Sequence, residues 1–272
     1  MAYILDEIVQ HKRKELEERK GLFPERLLEQ SVYFTAPTVS MKRYLTRPDK
    51  SGIIAEFKRS SPSKGAINPY TSVEKTTIGY MQAGASALSV LTDKKFFGGK
   101  NEDLSTARKF NFCPILRKDF VLDPYQLLEA RAIGADVVLL IAAILTPKET
   151  RELAFQACQL QMEVLLEVHS AEEIDSHLNE YIDLVGVNNR NLKTFEVNTD
   201  LSFELASRIP HGIIKVSESG ISDPQLILSL REAGYEGFLM GETFMRHSEP
   251  QRAAQEFIQQ VRTLESAYPK KV

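Results

Sequence analysis

The chain of 272 residues contains no tryptophan, so its own emission comes from nine tyrosines and fourteen phenylalanines. Cysteine is almost as scarce, with only Cys113 and Cys158. Neither sits in a CxxC pair or at a metal-like distance from histidine, which argues against zinc and against a disulfide framework. Two lone thiols suit a reducing, cytoplasmic compartment. Long apolar runs are missing too. The longest, Val137 to Leu145, falls well short of the ~20 residues that a membrane helix needs. The opening "MAYILDEIVQHKRKELEERKG" turns acidic at Asp6 and lacks the apolar stretch of a signal peptide. Charge of one sign is also lacking: a net charge of −3 gives no electrostatic reason to bind nucleic acid or an anionic membrane. With 43% hydrophobic and 26% charged residues, the composition is that of an ordinary globular protein.

What is present, from residue 50 onward, is a rhythm. Eight short aliphatic runs alternate with helix-like stretches: "GIIAEF", "ALSVLT", "CPILRK", "DVVLLIA", "EVLLEV", "LVGVN", "GIIKVS" and "GFLMG". Their spacing of roughly 20 to 35 residues is that of a βα unit. Most are continuously apolar, as parallel strands covered on both faces must be. The stretches between them carry helix punctuation. "DPYQLLEARAIGAD" places an Asp cap before Pro124 and ends at Gly134; "TPKETRELAFQACQL" repeats this with Thr146 and Pro147; "SDPQLILSLREAGYEG" does so with Ser222 or Asp223, Pro224 and Gly234. No GxGxxG follows any strand, which weakens an open dinucleotide-binding sheet. The pattern predicts an α/β fold, a (β/α)8 TIM barrel with an N-terminal helical extension. We read residues 1–272 as a single domain, with residues 1–50 the extension and 51–272 the barrel. Within the extension, Ile4, Leu5, Ile8, Val9 and Leu16 among charges predict an amphipathic helix over 4–20.

In such barrels active sites sit at the C-terminal ends of the strands. Those ends carry Glu56 and Lys58, Lys118 and Asp119, Glu167 and His169, Asn188 and Arg190, Glu218 with Ser219 and Gly220, and Gly241 with Glu242. A single charge at a strand end often meets only solvent, and His169 has no evident partner. Seven of them, Glu56, Lys58, Lys118, Glu167, Asn188, Arg190 and Glu218, come from five strands and converge on one mouth, where inward charges are costly unless paired or used. Gly220 and Gly241 follow the last two strands, where barrels commonly build a phosphate site from backbone N–H groups. Glu242 fits beside an anion only if its N–H faces the ligand and its carboxylate turns outward. Ser61 adds a hydroxyl donor, whereas Arg59 and Lys64 read as surface residues.

Taken together, "ILDEIVQHKRKELEERK", "AEFKRSSPSKG", "SVLTDKKFFGG", "ILRKDFV", "LLEVH", "GVNNRNL", "SESGI" and "GFLMGETFMR" resemble the indole-3-glycerol phosphate synthase family. That resemblance implies ring closure, decarboxylation and dehydration of 1-(2-carboxyphenylamino)-1-deoxyribulose 5-phosphate, without metal or organic cofactor. It implies Lys118 as general acid of ring closure and Glu167 as base of dehydration, with Glu56 and Asn188 holding the reacting groups. Lys58 would lie near the substrate carboxylate and offer an acid for dehydration, Arg190 would support the carboxylate cluster or the ligand, and Glu218 would orient hydroxyls or Lys118. Ser61, Ser219, Gly220, Gly241 and the Glu242 N–H would take the phosphate, and Pro62, Phe97 and Phe120 would wall the aromatic ring. Neighbouring cations would lower a lysine pKa at such a mouth and the glutamates would oppose them, a balance the sequence leaves open. The implied partner is a small phosphosugar, with room for association with other enzymes of tryptophan biosynthesis. Two other readings remain at this point: a phosphoribosylanthranilate isomerase-like barrel, which needs a Cys/Asp pair at strand ends, and a non-catalytic phosphosugar-binding scaffold.

Overall fold

The computed structural model describes residues 4–267; residues 1–3 and 268–272 of the expected unit lie outside the described residues. All eight apolar runs are strands: β1 (Ile53–Phe57), β2 (Ala87–Leu91), β3 (Ile115–Lys118), β4 (Val137–Ile141), β5 (Glu163–Val168), β6 (Leu184–Asn188), β7 (Ile214–Glu218) and β8 (Gly237–Met240). Each pairs in parallel with its sequence neighbours, and β1 pairs with β8 to close the barrel. Nearly every strand residue is buried, because side chains of one parity fill the barrel while the others meet the surrounding helices. Two apolar layers follow. An inner one includes Ile54, Leu116, Leu165, Leu184, Val216 and Leu239. An outer one packs residues such as Ile53, Ile115, Leu166 and Phe238 against the helices.

The helix signals have the expected chemistry. Asp123 caps Pro124–Ile133 in a capping box with Gln126, and Gly134 ends that helix at φ 95°. Thr146 and Glu149 form a second box at the start of Pro147–Gln159. For Pro224–Glu232 the cap is Asp223, not Ser222: its side chain accepts from the Gln225 N–H. Among the described residues no helix is long and apolar enough to cross a membrane.

The extension is used at both ends of the barrel. Its first helix, Ile4–Leu22, buries Ile8 and Leu16 and lays Ile4, Leu5 and Ile8 along the mouth. Further on, Met41–Leu45 closes the opposite end, where Met41 and Leu45 join the inner layer. Glu163, at the start of β5, holds this plug by accepting from the N–H groups of Met41 (2.7 Å) and Lys42 (3.1 Å). Asp136 does the same for Val39 at 2.8 Å. No local signal in 38–45 announces this plug, because its partners lie roughly a hundred residues away in sequence.

Candidate active site

Period two along each strand accounts for the site. The inner residues Ile54, Leu116, Leu165, Leu184, Val216 and Leu239 are apolar. Two residues on, towards the C-terminal end, the same faces carry Glu56, Lys118, Glu167, Gly186, Glu218 and Gly241. The barrel is therefore dry at mid-height and ionic at the mouth. Above the charges opens a cavity of about 570 Å³.

Three carboxylates and two ammonium groups form its floor. Lys118 Nζ lies 2.7 Å from both Glu167 Oε2 and Glu218 Oε2. Lys58 Nζ pairs with Glu56 Oε1, also at 2.7 Å. Asn188 donates to Glu167 Oε1 at 3.0 Å, and its own carbonyl accepts from the Arg190 N–H at 3.0 Å. Glu56, Glu167 and Glu218 are each no more than 3% exposed, so each charge depends on its partners. Two glycines make room for them. A Cβ on Gly241 would run into the Glu56 carboxylate, and one on Gly186 would run into that of Glu218.

The balance left open by the sequence now has a direction. Burial pulls the Lys118 pKa down, but the attraction of Glu167, Glu218 and Glu56 outweighs it and holds the ammonium above its ordinary range. The two carboxylates that share Lys118 are not equivalent. Burial raises both, yet Lys118, His169 and the Asn188 amide bring Glu167 down to about 2. Glu218 has less help: its Oε1 has no hydrogen-bond partner among the described residues, and burial together with the Glu167 charge pushes it up to about 7. Glu218 is thus the member that holds a proton near neutrality. Because that pKa lies above the ordinary value of 4.5, its contribution to stability is present below about 4.5 and lost as pH rises through about 7. Glu218→Gln should therefore gain melting temperature relative to wild type between about pH 5 and about pH 8. A difference that stays constant over this range contradicts the assignment.

The phosphate candidates share this cavity. Ser61, Ser219, Gly220, Gly241 and Glu242 all line it. Ser219 and Gly220 adopt φ of 66° and 79°, and a Cβ on Gly220 would run into Val197, so this turn has room only for glycine there. Pro62, Phe97 and Phe120 line the same space, with the two phenylalanine rings 6.0 Å apart.

Four expectations need correction. The Glu242 carboxylate does not turn outward: Oε2 lies 3.2 Å from Arg190 Nη2 and Oε1 lies 3.6 Å from Lys64 Nζ. Arg190 consequently braces Glu242 and the Phe195 carbonyl (3.2 Å) rather than the carboxylate cluster, which leaves only the ligand of its two expected roles, and it lines the cavity where that ligand would lie. Arg59 is not a plain surface residue, since its guanidinium pairs with the buried Asp103 through Nη2 at 3.0 Å and lies over the Phe57 ring. His169 has charged neighbours after all, although neither ring nitrogen makes a hydrogen bond to the described residues. Its ring lies 3.8 Å from Glu167 and 3.7 Å from Glu173, and its backbone N–H donates to Glu173. Cys113 lies between barrel and helices, and burial pushes its thiol up to about 12. That location suits no acid–base pair at the mouth.

Sequence reasoning also passed over Lys12. This lysine of the first helix is only 3% exposed and meets carboxylates from the loops after β2 and β3. Its signal was an unremarked cation on the apolar side of an amphipathic helix.

The family model described as indole-3-glycerol phosphate synthase matches residues 5–257. A Bacteroides thetaiotaomicron protein named indole-3-glycerol phosphate synthase is 49% identical over 261 residues, covering 96% of this chain and 100% of its own. One of the same name from Dechloromonas aromatica is 44% identical, covering 92% of this chain and 97% of its own. The solved "Native KDPGal structure" superposes with a TM-score of 0.57 at 13% identity, over 82% of this chain and 96% of its own. At that identity the likeness is one of fold alone. The barrel, the charged mouth and two long alignments agree: the chain belongs to the indole-3-glycerol phosphate synthase family.

Proposed function

We propose that this cavity converts 1-(2-carboxyphenylamino)-1-deoxyribulose 5-phosphate into indole-3-glycerol phosphate, a step of tryptophan biosynthesis carried out in the cytoplasm. The observation that carries the reading is the Lys118 ammonium held between Glu167 and Glu218 on the floor of the cavity. An aromatic carbon attacks the ketose carbonyl, and the oxygen that becomes an alkoxide needs a proton at that moment. Lys118 supplies it. The carboxylates keep the lysine charged until a far more basic oxygen forms beside it, and they stabilise the ammonium before the transfer. The new ring then loses its carboxylate as carbon dioxide, and the former carbonyl oxygen, by now a hydroxyl, takes a second proton from the Lys58 ammonium at the cavity floor and leaves as water. Glu167, ionised well below neutral pH, takes the ring proton released in that last step, while Asn188 fixes its orientation through the 3.0 Å hydrogen bond.

Around this chemistry the other residues bind. Glu56 holds Lys58 at 2.7 Å, which leaves the ammonium beside the substrate carboxylate until it departs. The Gly220 and Gly241 backbone, the Glu242 N–H, Ser61 and Ser219 take the phosphate; the Glu242 carboxylate, although not turned outward, is neutralised by Arg190 and Lys64. Phe97, Phe120 and Pro62 enclose the ring. Residues 1–50 act with the barrel as one unit, because Ile4, Leu5 and Ile8 complete the wall of the same cavity.

The test is conversion itself. Wild-type protein given this substrate in the presence of a chelator should release one carbon dioxide per indole formed, with inorganic phosphate competing. Excitation beyond the tyrosine band reads the indole against a chain that has no tryptophan. An isomerase would give neither product, and a scaffold would return its ligand unchanged; either result contradicts the proposal.

A further inference from the structure

Lys12 lies outside the chemistry just described, yet a lysine this buried is rare unless its charge has a use. Its Nζ is 3.0 Å from Asp93 Oδ2, 3.0 Å from Asp119 Oδ1 and 2.9 Å from Glu15 Oε2. Burial alone would lower its pKa; Asp119, Asp93 and Glu15 reverse that and keep it cationic. The two aspartates are unusual in what else they hold. Asp93, just after β2, accepts from the Phe96 N–H at 2.8 Å. Asp119, just after Lys118, accepts from the Phe120 N–H at 2.8 Å and from the Thr92 hydroxyl at 2.5 Å. Each carboxylate therefore fixes the backbone beside one of the two rings, Phe97 and Phe120, that pack against each other in the cavity wall, 6.0 Å apart and tilted by 38°. The helix that carries Lys12 adds the third wall. Its residues Ile4, Leu5 and Ile8 line the cavity, and His11 meets the Phe96 ring edge-on at 5.8 Å.

We propose that Lys12 is a positioning residue that locks the first helix and the loops after β2 and β3 into one rigid aryl-binding wall. The ammonium touches no part of the cavity chemistry. It joins two like-charged carboxylates that would otherwise repel, and it joins them at the places that set the separation of Phe97 and Phe120. Net stability is a poor explanation for such a group, since buried ion pairs are often matched or bettered by apolar residues of the same volume. Fixed geometry around a flat ring is a better one, because a wall that must be ordered on binding weakens affinity. The inference rests on the proposed reaction only in taking the substrate to carry an aryl group.

The experiment is steady-state kinetics of Lys12→Met with the carboxyphenylamino sugar phosphate, beside the inhibition constant of inorganic phosphate, which reads the turns after β7 and β8. We expect KM to rise by about tenfold or more, with kcat held within about threefold and the phosphate constant within about twofold. Combined with Phe97→Leu, the KM increase should be clearly less than the product of the two single increases, since the lysine acts through that ring. A KM that does not move overturns the proposal. So does a phosphate constant that rises in step with KM, or an effect that multiplies independently of Phe97, as general loosening would produce. Should Lys12→Met fail to fold, Asp93→Asn carries the same test, because Lys12 keeps Asp119 and Glu15. There a KM increase of about threefold at unchanged kcat supports the proposal, and none overturns it. Wild type that makes no indole removes the reaction and this inference together. Wild type that works beside an unaffected Lys12→Met removes the role of Lys12 alone.

Discussion

Replacing Lys118 by methionine is expected to lower turnover by about 10²–10⁴, the usual contribution of a general acid, while KM changes by less than about tenfold. Methionine keeps most of the volume and the apolar stem, so the strand and the cavity wall survive. What disappears is the only group between Glu167 and Glu218, to each of which the ammonium lies 2.7 Å. Two buried carboxylates without a cation cannot both stay ionised, and Glu218, already raised to about 7, is the one to take up a proton. Binding should suffer less, because the phosphate turns follow β7 and β8 and, of the aromatic wall, only Phe120 follows the Lys118 strand. Near-normal turnover of Lys118→Met would refute the assignment.

Much of this site could be read from single positions. The strand ends are apolar up to a definite residue and charged after it, and period two then states which charges share a face, as with Glu56 and Lys58. Helix caps were as legible, because Asp123 and Thr146 bond to residues two or three positions away. The features that escaped are those whose partners lie far off in the chain. Arg59 finds Asp103, Glu242 finds Arg190, and Lys12 finds Asp93 and Asp119. Side-chain pairing across loops depends on how the barrel closes, and no local pattern reports it. The same holds for the emptiness that Gly186 and Gly241 provide. A glycine at a strand end suggested backbone next to phosphate, whereas Gly241 also leaves the volume that the Glu56 carboxylate fills. The lysine pKa was undecidable for a related reason, since its sign depends on which charges come within about 3 Å.

The central claim is a division of labour at one mouth, with Lys118 serving ring closure and Glu167 serving dehydration. Glu167→Gln separates the two. The amide still reaches Asn188 and still fills the floor, and Lys118 keeps Glu218 at 2.7 Å, so proton donation to the ketose oxygen survives in large part. A neutral amide cannot take the ring proton whose loss completes the indole, and removal of that base should cost about 10²–10⁴ in indole formation. Carbon dioxide release should fall far less. One measurement follows both: single turnover of the carboxyphenylamino sugar phosphate by Glu167→Gln, with released carbon dioxide and indole emission recorded together. The account predicts carbon dioxide running well ahead of indole, with a decarboxylated, still hydroxylated intermediate accumulating between them. If the two signals fall together and stay in a one-to-one ratio throughout, Glu167 is not the base of a separate dehydration and the division proposed for this site is wrong.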